Sequence, residues 1–361
     1  MNKNKDKFSV VMTFYNAQDF IMRAISSVGQ QWTKDDEGND FQIEFVMVDD
    51  KSPDNTRKII EEYIERYKKE PEKCQDKKTP IDIEFRIVEP EHNLGCGGAR
   101  KFGIESATGD YYAFLDADDY YINRNVLMTA YKAIKQYDAD IVEMGIIYNQ
   151  ENGQKNISQV SSVQIYDNKV DRLVAQFANN TIKFNVWSKM YRRQVIETFP
   201  YSETRTFEDV RTTPIWVWNA NRVVVLPDLC VNYRATGGSI IRKDPLKTRI
   251  DTITAISELF ERFKDQYAVL KAMYARSMVD IKALCENKNS TDPGFNEMSR
   301  LNTYMLSYIY PNNYKQYVYN IEDEQKQKQE QEQEKQNEIK EEQKKEKKPA
   351  DKKTSKKSKK K

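Results

Sequence analysis

The chain has 361 residues, enough for one large domain or two smaller ones, and its 39% apolar and 11% aromatic fractions can supply a substantial core. His92 is the single histidine, which argues against Ser-His-Asp catalysis and against histidine-based zinc sites. The four cysteines are scattered without a CxxC pair, and neither a membrane span nor a secretory segment is evident, so a cytoplasmic location is expected.

The net charge of +2 hides an asymmetry between the body of the chain and its C-terminus. Eleven lysines and two acids between 344 and 361 give this segment +9, which leaves −7 for the remainder. The residues from 321 to 361 are rich in Gln, Glu and Lys and then in Lys alone, and they are predicted to be disordered. The lysines predict peripheral contact with an anionic membrane or polymer, and no specific nucleic acid is expected because no aromatic residues alternate with them.

Strands and helices alternate through the first 150 residues. Five apolar, β-branched runs are typical of buried strands: 8–15, 41–50, 81–90, 110–119 and 139–149. Helices are predicted between them, one capped by Asn16, one from Ser52 with Pro53 in its first turn, a short one over KFGIESA and one over NVLMTAYKAIKQY. This alternation predicts an α/β protein with a mostly parallel central sheet flanked by helices.

Three of the predicted strands end in candidate ligand groups. In chain order these groups are Thr13 and Tyr15, then Asp49 and Asp50, then Asp116, Asp118 and Asp119. Ligands of such sheets bind outside the carboxyl ends of the strands, so these side chains are expected to meet there. Mg²⁺ or Mn²⁺ would neutralise carboxylates crowded at this edge, whereas the structural alternative is an acidic turn that caps a helix.

Four segments occur in the order found in one enzyme family: SVVMTFYNAQDFIMRAISSV, FVMVDDKSPDNT, NLGCGGARKFGIESATGDYYAFLDADD and FEDV. Together they resemble the inverting family 2 glycosyltransferases with the GT-A fold, over about residues 8–240, and in particular the bacterial cell-wall and capsule members. The resemblance implies transfer of a sugar from a nucleotide-diphosphate donor, commonly UDP-linked, to a hydroxyl of a saccharide, lipid-linked or other acceptor. It also implies Mn²⁺ or Mg²⁺ between the donor phosphates and the DxD carboxylates.

The resemblance assigns roles to individual residues. Those implied for the nucleotide sugar are Thr13, Tyr15, Asp50, Arg100 and Asp116. Asp118 matches the principal metal ligand, which Asp116 assists, and Asp209 of FEDV matches the catalytic base. Secondary candidates, for the acceptor, the diphosphate or a water-mediated contact, are Trp187, Glu208, Arg234 or Arg242, and Asp119. Two positions depart from the family pattern, Lys51 where a glycine is common and Cys96 where a small residue is usual.

Each assignment has a structural alternative. Asp50 can cap a helix, Arg100 can pair with Glu105 or Asp110, Trp187 can belong to the core, and the FEDV acids can simply favour a helix N-terminus. At the level of function, the alternatives are a sugar nucleotidyltransferase, whose Gly-rich signature is missing after the first strand, and a polyanion-binding protein that acts through its lysine tail.

The predicted organisation has three parts. Residues 1–240 form the GT-A domain, with the nucleotide-sugar and metal half at 8–150 and the acceptor half at 151–240. Amphipathic spacing predicts a helical appendage over 241–320, and residues 321–361 form the tail.

Overall fold

A single sheet of ten strands organises the computed structural model, which describes residues 5–70, 82–150, 152–235, 244–286 and 293–312. The strands are β1 (Asp6–Phe14), β2 (Phe41–Asp49), β3 (Ile83–Val88), β4 (Tyr111–Asp116), β5 (Tyr120–Tyr121), β6 (Ile141–Asn149), β7 (Lys155–Ser158), β8 (Gln164–Tyr166), β9 (Lys189–Arg192) and β10 (Val223–Arg234). They lie in the order β3-β2-β1-β4-β9-β6-β10-β5, with β7 paired to β6 and β8 paired to β10. The predictions for Arg242 and for the tail lie outside the described residues.

The long strands run parallel, as predicted, with one exception in the middle of the sheet. β1 pairs in parallel with β2 and β4, β2 with β3, and β6 with β10. β9 lies antiparallel between β4 and β6 and so joins the two parallel groups. The carboxyl ends of the parallel strands therefore share one edge of the sheet, where Thr13 is in register with Asp116 and Phe14 with Asp49.

Helices flank the sheet throughout the described chain. They are α1 (Ile21–Gly29), α2 (Thr56–Lys69), α3 (Gly95–Ser106), α4 (Val126–Tyr137), α5 (Lys169–Phe177), α6 (Arg193–Ile196), α7 (Glu208–Asn219), α8 (Pro245–Ser257), α9 (Tyr267–Glu286) and α10 (Pro293–Ile309). α3 packs on β1 and β2, and α4 packs on β6 and β10. No helix in the described ranges combines the length and apolarity needed to span a membrane.

Two helices begin later than the sequence predicts. Asn16 does not cap α1, because its φ of +52° lies in the left-handed region and the helix starts only at Ile21. Pro53 lies outside α2. That helix starts where the Asp54 carboxylate accepts hydrogen bonds from the backbone N–H of Thr56 (3.1 Å) and from its hydroxyl (2.6 Å). Local side-chain hydrogen bonding thus sets the start of α2.

α3 begins at Gly95, so the glycines of NLGCGGAR form its first turn and not a loop before it. A methyl group on Gly97 would lie 2.3 Å from the carbonyl oxygen of Thr204 and 2.4 Å from that of Ser202. One on Gly103 would lie 2.6 Å from Val11 and 2.8 Å from Val48. Glycine at these positions therefore lets α3 touch the sheet on one side and the segment before α7 on the other.

The aromatic core anchors α7 against the sheet. Trp216 is fully buried, and its ring packs on Phe114 at 6.4 Å, Tyr191 at 5.3 Å and Tyr201 at 5.5 Å between centroids. Its indole N–H donates to the carbonyl oxygen of Phe199 at 2.9 Å. These contacts fix the direction of α7 and hence the position of the acidic residues in its first turn.

The three C-terminal helices pack on one another, and the first two also contact helices of the preceding part of the chain. α9 contacts α5, and α8 contacts α7. Arg211 in α7 pairs with Glu258 just after α8 at 2.7 Å, and the Thr206 hydroxyl donates to Asp251 of α8 at 3.2 Å. The predicted appendage therefore supports the segment that leads into α7.

Replacing Gly97 with Ala is expected to displace the 202–204 segment, because the contacts that a Cβ meets there are backbone atoms. The free energy of unfolding should fall by about 1–3 kcal/mol, as in other overpacked sites. Turnover should fall as well, since this segment leads into α7. Denaturant unfolding and steady-state kinetics measure both, and Glu105→Ala on the exposed face of α3 is the control, expected to change stability by less than about 0.5 kcal/mol. Wild-type stability and turnover in Gly97→Ala would show that the close approach is unimportant.

Candidate active site

The predicted nucleotide-binding residues of the first strand lie at the shared carboxyl edge of the sheet. Thr13 is in register with Asp116 of β4, and the backbone N–H of Asp50 donates to the carbonyl oxygen of Phe14 at 3.0 Å. Tyr15 follows β1 with 54% of its surface exposed. An exposed aromatic ring of this kind is available to stack on a planar ligand.

Asp50 is buried, and its carboxylate holds the start of α3. It accepts hydrogen bonds from the backbone N–H groups of Leu94 at 2.7 Å and Gly95 at 2.9 Å. Asp50 thus caps α3, a helix 45 residues further along the chain and not the α2 helix that follows it. Its neighbour Asp49 accepts from the backbone N–H of Ser52 at 2.9 Å.

Lys51 has a φ of +67°, in the left-handed region that favours glycine. This turn lets the chain leave β2 sharply and places the two preceding carboxylates at the edge of the sheet. Lysine at this position therefore adopts a backbone conformation that glycine adopts at a lower cost in free energy. The Lys51 ammonium pairs with Glu89 at 2.7 Å.

Arg100 of α3 is the centre of a buried ion-pair network that joins the end of β4 to the start of α7. Its side chain is 4% exposed. One guanidinium nitrogen donates to Asp116 at 2.7 Å, and the other donates to Glu208 at 2.6 Å and to the hydroxyl of Tyr201 at 2.9 Å. Arg100 therefore lies behind the acidic residues and holds two of them in place.

The acidic turn after β4 contains two carboxylates that are hard to ionise. Burial and the charge of Asp116 raise the pKa of Asp118 to about 6. Burial and the charges of Asp118 and Asp116 raise the pKa of Asp119 well above its usual range. Asp119 accepts from the backbone N–H of Arg234 at 2.8 Å through one oxygen, while its other oxygen is buried without a partner among the described residues.

This turn meets the requirements of a divalent cation. The orphaned oxygen of Asp119 and the raised pKa of Asp118 both mark negative charge that lacks compensation. The described residues contain no cluster of three or more side chains arranged as a complete metal cage. Mg²⁺ commonly needs only one or two carboxylates together with substrate phosphates, so the donor set of Asp116 and Asp118 fits.

The FEDV acids lie at the first turn of α7. Phe207, just before the helix, has a φ of +53°, so the chain enters α7 through a strained residue of the kind that clusters at functional sites. Glu208 is buried and bound to Arg100, and the Cys96 thiol donates to it at 3.3 Å. Asp209 is partly exposed and accepts from the backbone N–H of Val210 at 2.7 Å. Burial and the charge of Glu208 raise the pKa of Asp209 to about 6.

The secondary candidates fall into two environments. Trp187 is buried, and its ring stacks on Tyr233 at 5.3 Å between centroids, so the structure places it in packed surroundings. Arg234 lies at the end of β10, with its guanidinium 4.7 Å from the ring of Phe20. Its backbone bond to Asp119 brings it beside the acidic turn.

A buried charge cluster that the sequence did not reveal lies between β9 and β6. Lys189, fully buried at the start of β9, pairs with Glu143 of β6 at 3.4 Å and donates to the carbonyl oxygen of Asn185 at 2.6 Å. Burial lowers the pKa of Lys189. The burial of Lys189 could not be predicted from its sequence neighbours in NVWSKMY, because its partner Glu143 lies in a strand about 46 residues earlier in the chain.

Comparison with known proteins shows the family and the fold of the chain. Residues 9–199 match the family model described as glycosyl transferase family 2. Glycosyltransferase GlyG from Streptococcus pneumoniae is 25% identical over 301 residues, which cover 79% of this chain and 90% of GlyG. The poly(ribitol-phosphate) β-N-acetylglucosaminyltransferase TarS of Staphylococcus aureus is 26% identical over 235 residues, 63% of this chain and 35% of TarS.

Solved structures share the fold. The crystal structure of TarS residues 1–349 with UDP-GlcNAc superposes with a TM-score of 0.61 at 19% identity, covering 84% of this chain and 81% of that one. The mannosyltransferase PcManGT from Pyrobaculum calidifontis, solved with GDP-Man and Mn²⁺, superposes with a TM-score of 0.51 at 15% identity, covering 88% and 84%. The predicted GT-A fold is confirmed. The family model spans more than half of the chain, and the protein is therefore a member of glycosyl transferase family 2.

Proposed function

We propose that the protein is a metal-dependent, inverting glycosyltransferase that moves a sugar from a nucleoside-diphosphate donor to an acceptor hydroxyl. The observation that carries this proposal is the arrangement around Arg100. Its two ion pairs bring two sets of carboxylates to one edge of the sheet. One set is the acidic turn, which is proposed to bind a cation, and the other is at the start of α7. An inverting transfer needs both sets within reach of one sugar.

The donor side supports a nucleotide sugar. Thr13, Tyr15 and Asp50 would hold the base, and Asp116 would reach the ribose or the cation. UDP-GlcNAc in the TarS structure supports a UDP-linked donor, while GDP-Man in PcManGT shows that the same fold accepts another nucleotide. The donor nucleotide is therefore the first property to measure.

Asp118, assisted by Asp116, would hold Mn²⁺ or Mg²⁺. When bound there with the donor, such an ion neutralises the diphosphate and makes it a better leaving group. The chain itself contributes the orientation, because Arg100 fixes Asp116 while Asp118 forms no salt bridge with a described residue. Asp119, bound to the backbone of Arg234, keeps the turn in shape.

Asp209 is the proposed general base. It takes the proton from the acceptor hydroxyl while that oxygen forms a bond to the anomeric carbon and the bond to the diphosphate oxygen breaks on the opposite face. A pKa of about 6 lets the carboxylate be ionised at neutral pH and still basic enough to accept a proton. Glu208 cannot replace it easily, because Arg100 already binds it.

The acceptor is proposed to be a saccharide or lipid-linked molecule of a bacterial surface polymer, glycosylated in the cytoplasm. The similarity to TarS, a poly(ribitol-phosphate) β-N-acetylglucosaminyltransferase, supports this class. Trp187 is proposed to support the acceptor site indirectly, as a buried ring that stacks on Tyr233.

A panel of nucleotide sugars tests the proposal. Thermal shift with and without Mn²⁺ identifies the nucleotide, because a ligand that binds the folded state stabilises it by an amount that grows with the ratio of its concentration to its Kd. Release of nucleoside diphosphate, with NMR of the product anomer, then reports transfer and inversion. Retention of configuration, or no stabilisation by any nucleotide with Mn²⁺, would contradict the proposal.

Asp118→Asn is expected to abolish metal-dependent donor binding. The folded-state pKa of Asp118 is raised, so its carboxylate lowers stability as the pH rises from about 4 to 7, and the variant lacks this penalty. Its Tm without metal at pH 8 should therefore equal or exceed that of the wild type, whereas the extra stabilisation by UDP with Mn²⁺ should disappear. Asp36→Asn, on an exposed loop, is the control. Retained stabilisation by UDP with Mn²⁺ in Asp118→Asn would exclude this residue as the ligand.

Asp209→Asn is expected to lower kcat by about 10²–10⁴-fold with little change in donor affinity, as loss of a general base does. In the wild type, kcat at saturating donor and Mn²⁺ should rise with pH through about 6 and then level off, because only the ionised carboxylate accepts a proton. The residual rate of the variant should lack this limb. Near-normal turnover would transfer the role to another group, and a matching loss of UDP affinity would place Asp209 among the donor ligands.

A further inference from the structure

A cavity of about 440 Å³ opens beside the acidic turn, where the backbone of Arg234 binds Asp119. The start of α1, β5 and the carboxyl ends of β6 and β10 form its walls. The larger side chains that line it include Phe20, Arg23, Tyr120, Asn149, Asn232 and Arg234. Thr13 lies in β1, and Tyr15 and Asp50 directly follow β1 and β2; these two strands lie on the other side of β4 in the sheet order.

Two arginines face this cavity from flat aromatic supports. The Arg23 guanidinium lies 3.6 Å from the centroid of the Tyr120 ring, and the Arg234 guanidinium lies 4.7 Å from that of Phe20. Neither arginine forms a salt bridge with a described acidic side chain, whereas Arg57, Arg86 and Arg100 each do. Stacking restrains the planar group and leaves its N–H edge available for hydrogen bonding.

The remaining walls are polar but uncharged. The Asn149 amide donates to the side-chain oxygen of Asn232, and the Asn149 oxygen is buried without a partner among the described residues. Among the described residues that line the cavity, none is acidic, although the body of the chain carries a net negative charge. The site therefore combines two positive charges with amide groups that can bind hydroxyls.

Two planar guanidinium groups without carboxylate partners match the oxygens of a phosphate group better than a neutral sugar. The site also lies next to the transfer centre, because the backbone N–H of Arg234 donates to Asp119 of the acidic turn at 2.8 Å. Two of the strands that form the site, β6 and β10, lie on one side of β4 in the sheet order, together with β9. The predicted nucleotide residues belong to β1 and β2 or directly follow them, and these strands lie on the other side of β4.

We infer that this cavity binds a phosphate group of the acceptor, so that the enzyme glycosylates a phosphate-bearing saccharide or polyol and not a neutral one. This inference rests on the proposed transferase function. The phosphate belongs either to a phosphodiester within a polymer or to the diphosphate of a lipid-linked acceptor. Both present the same anionic oxygens to Arg23 and Arg234.

Binding of small phosphates to the full chain tests this inference without any turnover. With UDP and Mn²⁺ saturating the donor site, calorimetry measures the affinity of diglycerol phosphate for the diester, of methyl diphosphate for the diphosphate and of glycerol as the neutral control. At least one phosphate is expected to bind and glycerol is not. The one that binds identifies the source of the phosphate.

Arg23→Gln and Arg234→Gln are each expected to weaken phosphate binding at least about ten-fold, or about 1.4 kcal/mol, because each removes one charged fork. The lysine variants, which keep the charge and lose the fork, should lie between. Arg66→Gln on the exposed face of α2 is the matched control, and UDP affinity should be unchanged in Arg66→Gln and in Arg23→Gln.

Two results would overturn the inference. One is that neither phosphate binds to the wild-type protein with the donor site filled. The other is that Arg23→Gln and Arg234→Gln weaken UDP binding and leave phosphate binding unchanged, which would assign the arginines to the donor. Either result leaves the transferase proposal standing, because that proposal depends on transfer of the sugar and not on the charge of the acceptor.

Discussion

The Arg100 guanidinium, buried between Asp116 and Glu208, is the interaction on which the rest of the site depends. Glu208 lies 108 residues further along the chain than Arg100, and Asp116 lies 16 residues further. Removing one member of a buried ion network leaves a charge without compensation, which typically costs about 3–5 kcal/mol. The ion pairs of Arg100 therefore couple the position of the acidic turn to the position of α7.

The bridge also divides the labour within each acidic pair. Asp116 and Glu208 are held by Arg100, whereas their neighbours Asp118 and Asp209 form no salt bridge with a described residue. Burial and the charge of the held neighbour raise the pKa of each of these two carboxylates to about 6. One acid of each pair thus provides geometry and the other remains available to a cation or a proton.

The close packing around α3 makes this arrangement possible. Arg100 lies on the third residue after Gly97, whose missing side chain lets the 202–204 backbone approach the helix. Asp50 holds the start of the same helix through two backbone hydrogen bonds. The glycines of NLGCGGAR are therefore explained by the approach of two segments, and Asp50 serves the framework of the site in addition to any contact with a nucleotide.

Much of this could be predicted from the sequence, because local signals carry it. Apolar β-branched runs located the long strands, and the rule that parallel strands share a carboxyl edge brought Thr13 and Asp116 together. The pairing of Arg100 could not be predicted in this way. The two nearby acids considered for it have other partners. Glu105 pairs with Lys101, and Asp110 accepts a hydrogen bond from the backbone N–H of Lys7. The antiparallel strand β9 and the buried Lys189 escaped prediction for the same reason, since their partners are distant in sequence.

A double-mutant cycle between Arg100 and Glu208 tests the central claim most directly. Arg100→Lys keeps the charge but cannot reach two carboxylates at once, and Glu208→Gln removes one partner while keeping its shape. If the bridge couples the two halves, the losses in kcat/KM will not add, and the interaction free energy will be at least about 1 kcal/mol. Losses that add to within about 0.5 kcal/mol would show that the two residues act independently and would contradict the account.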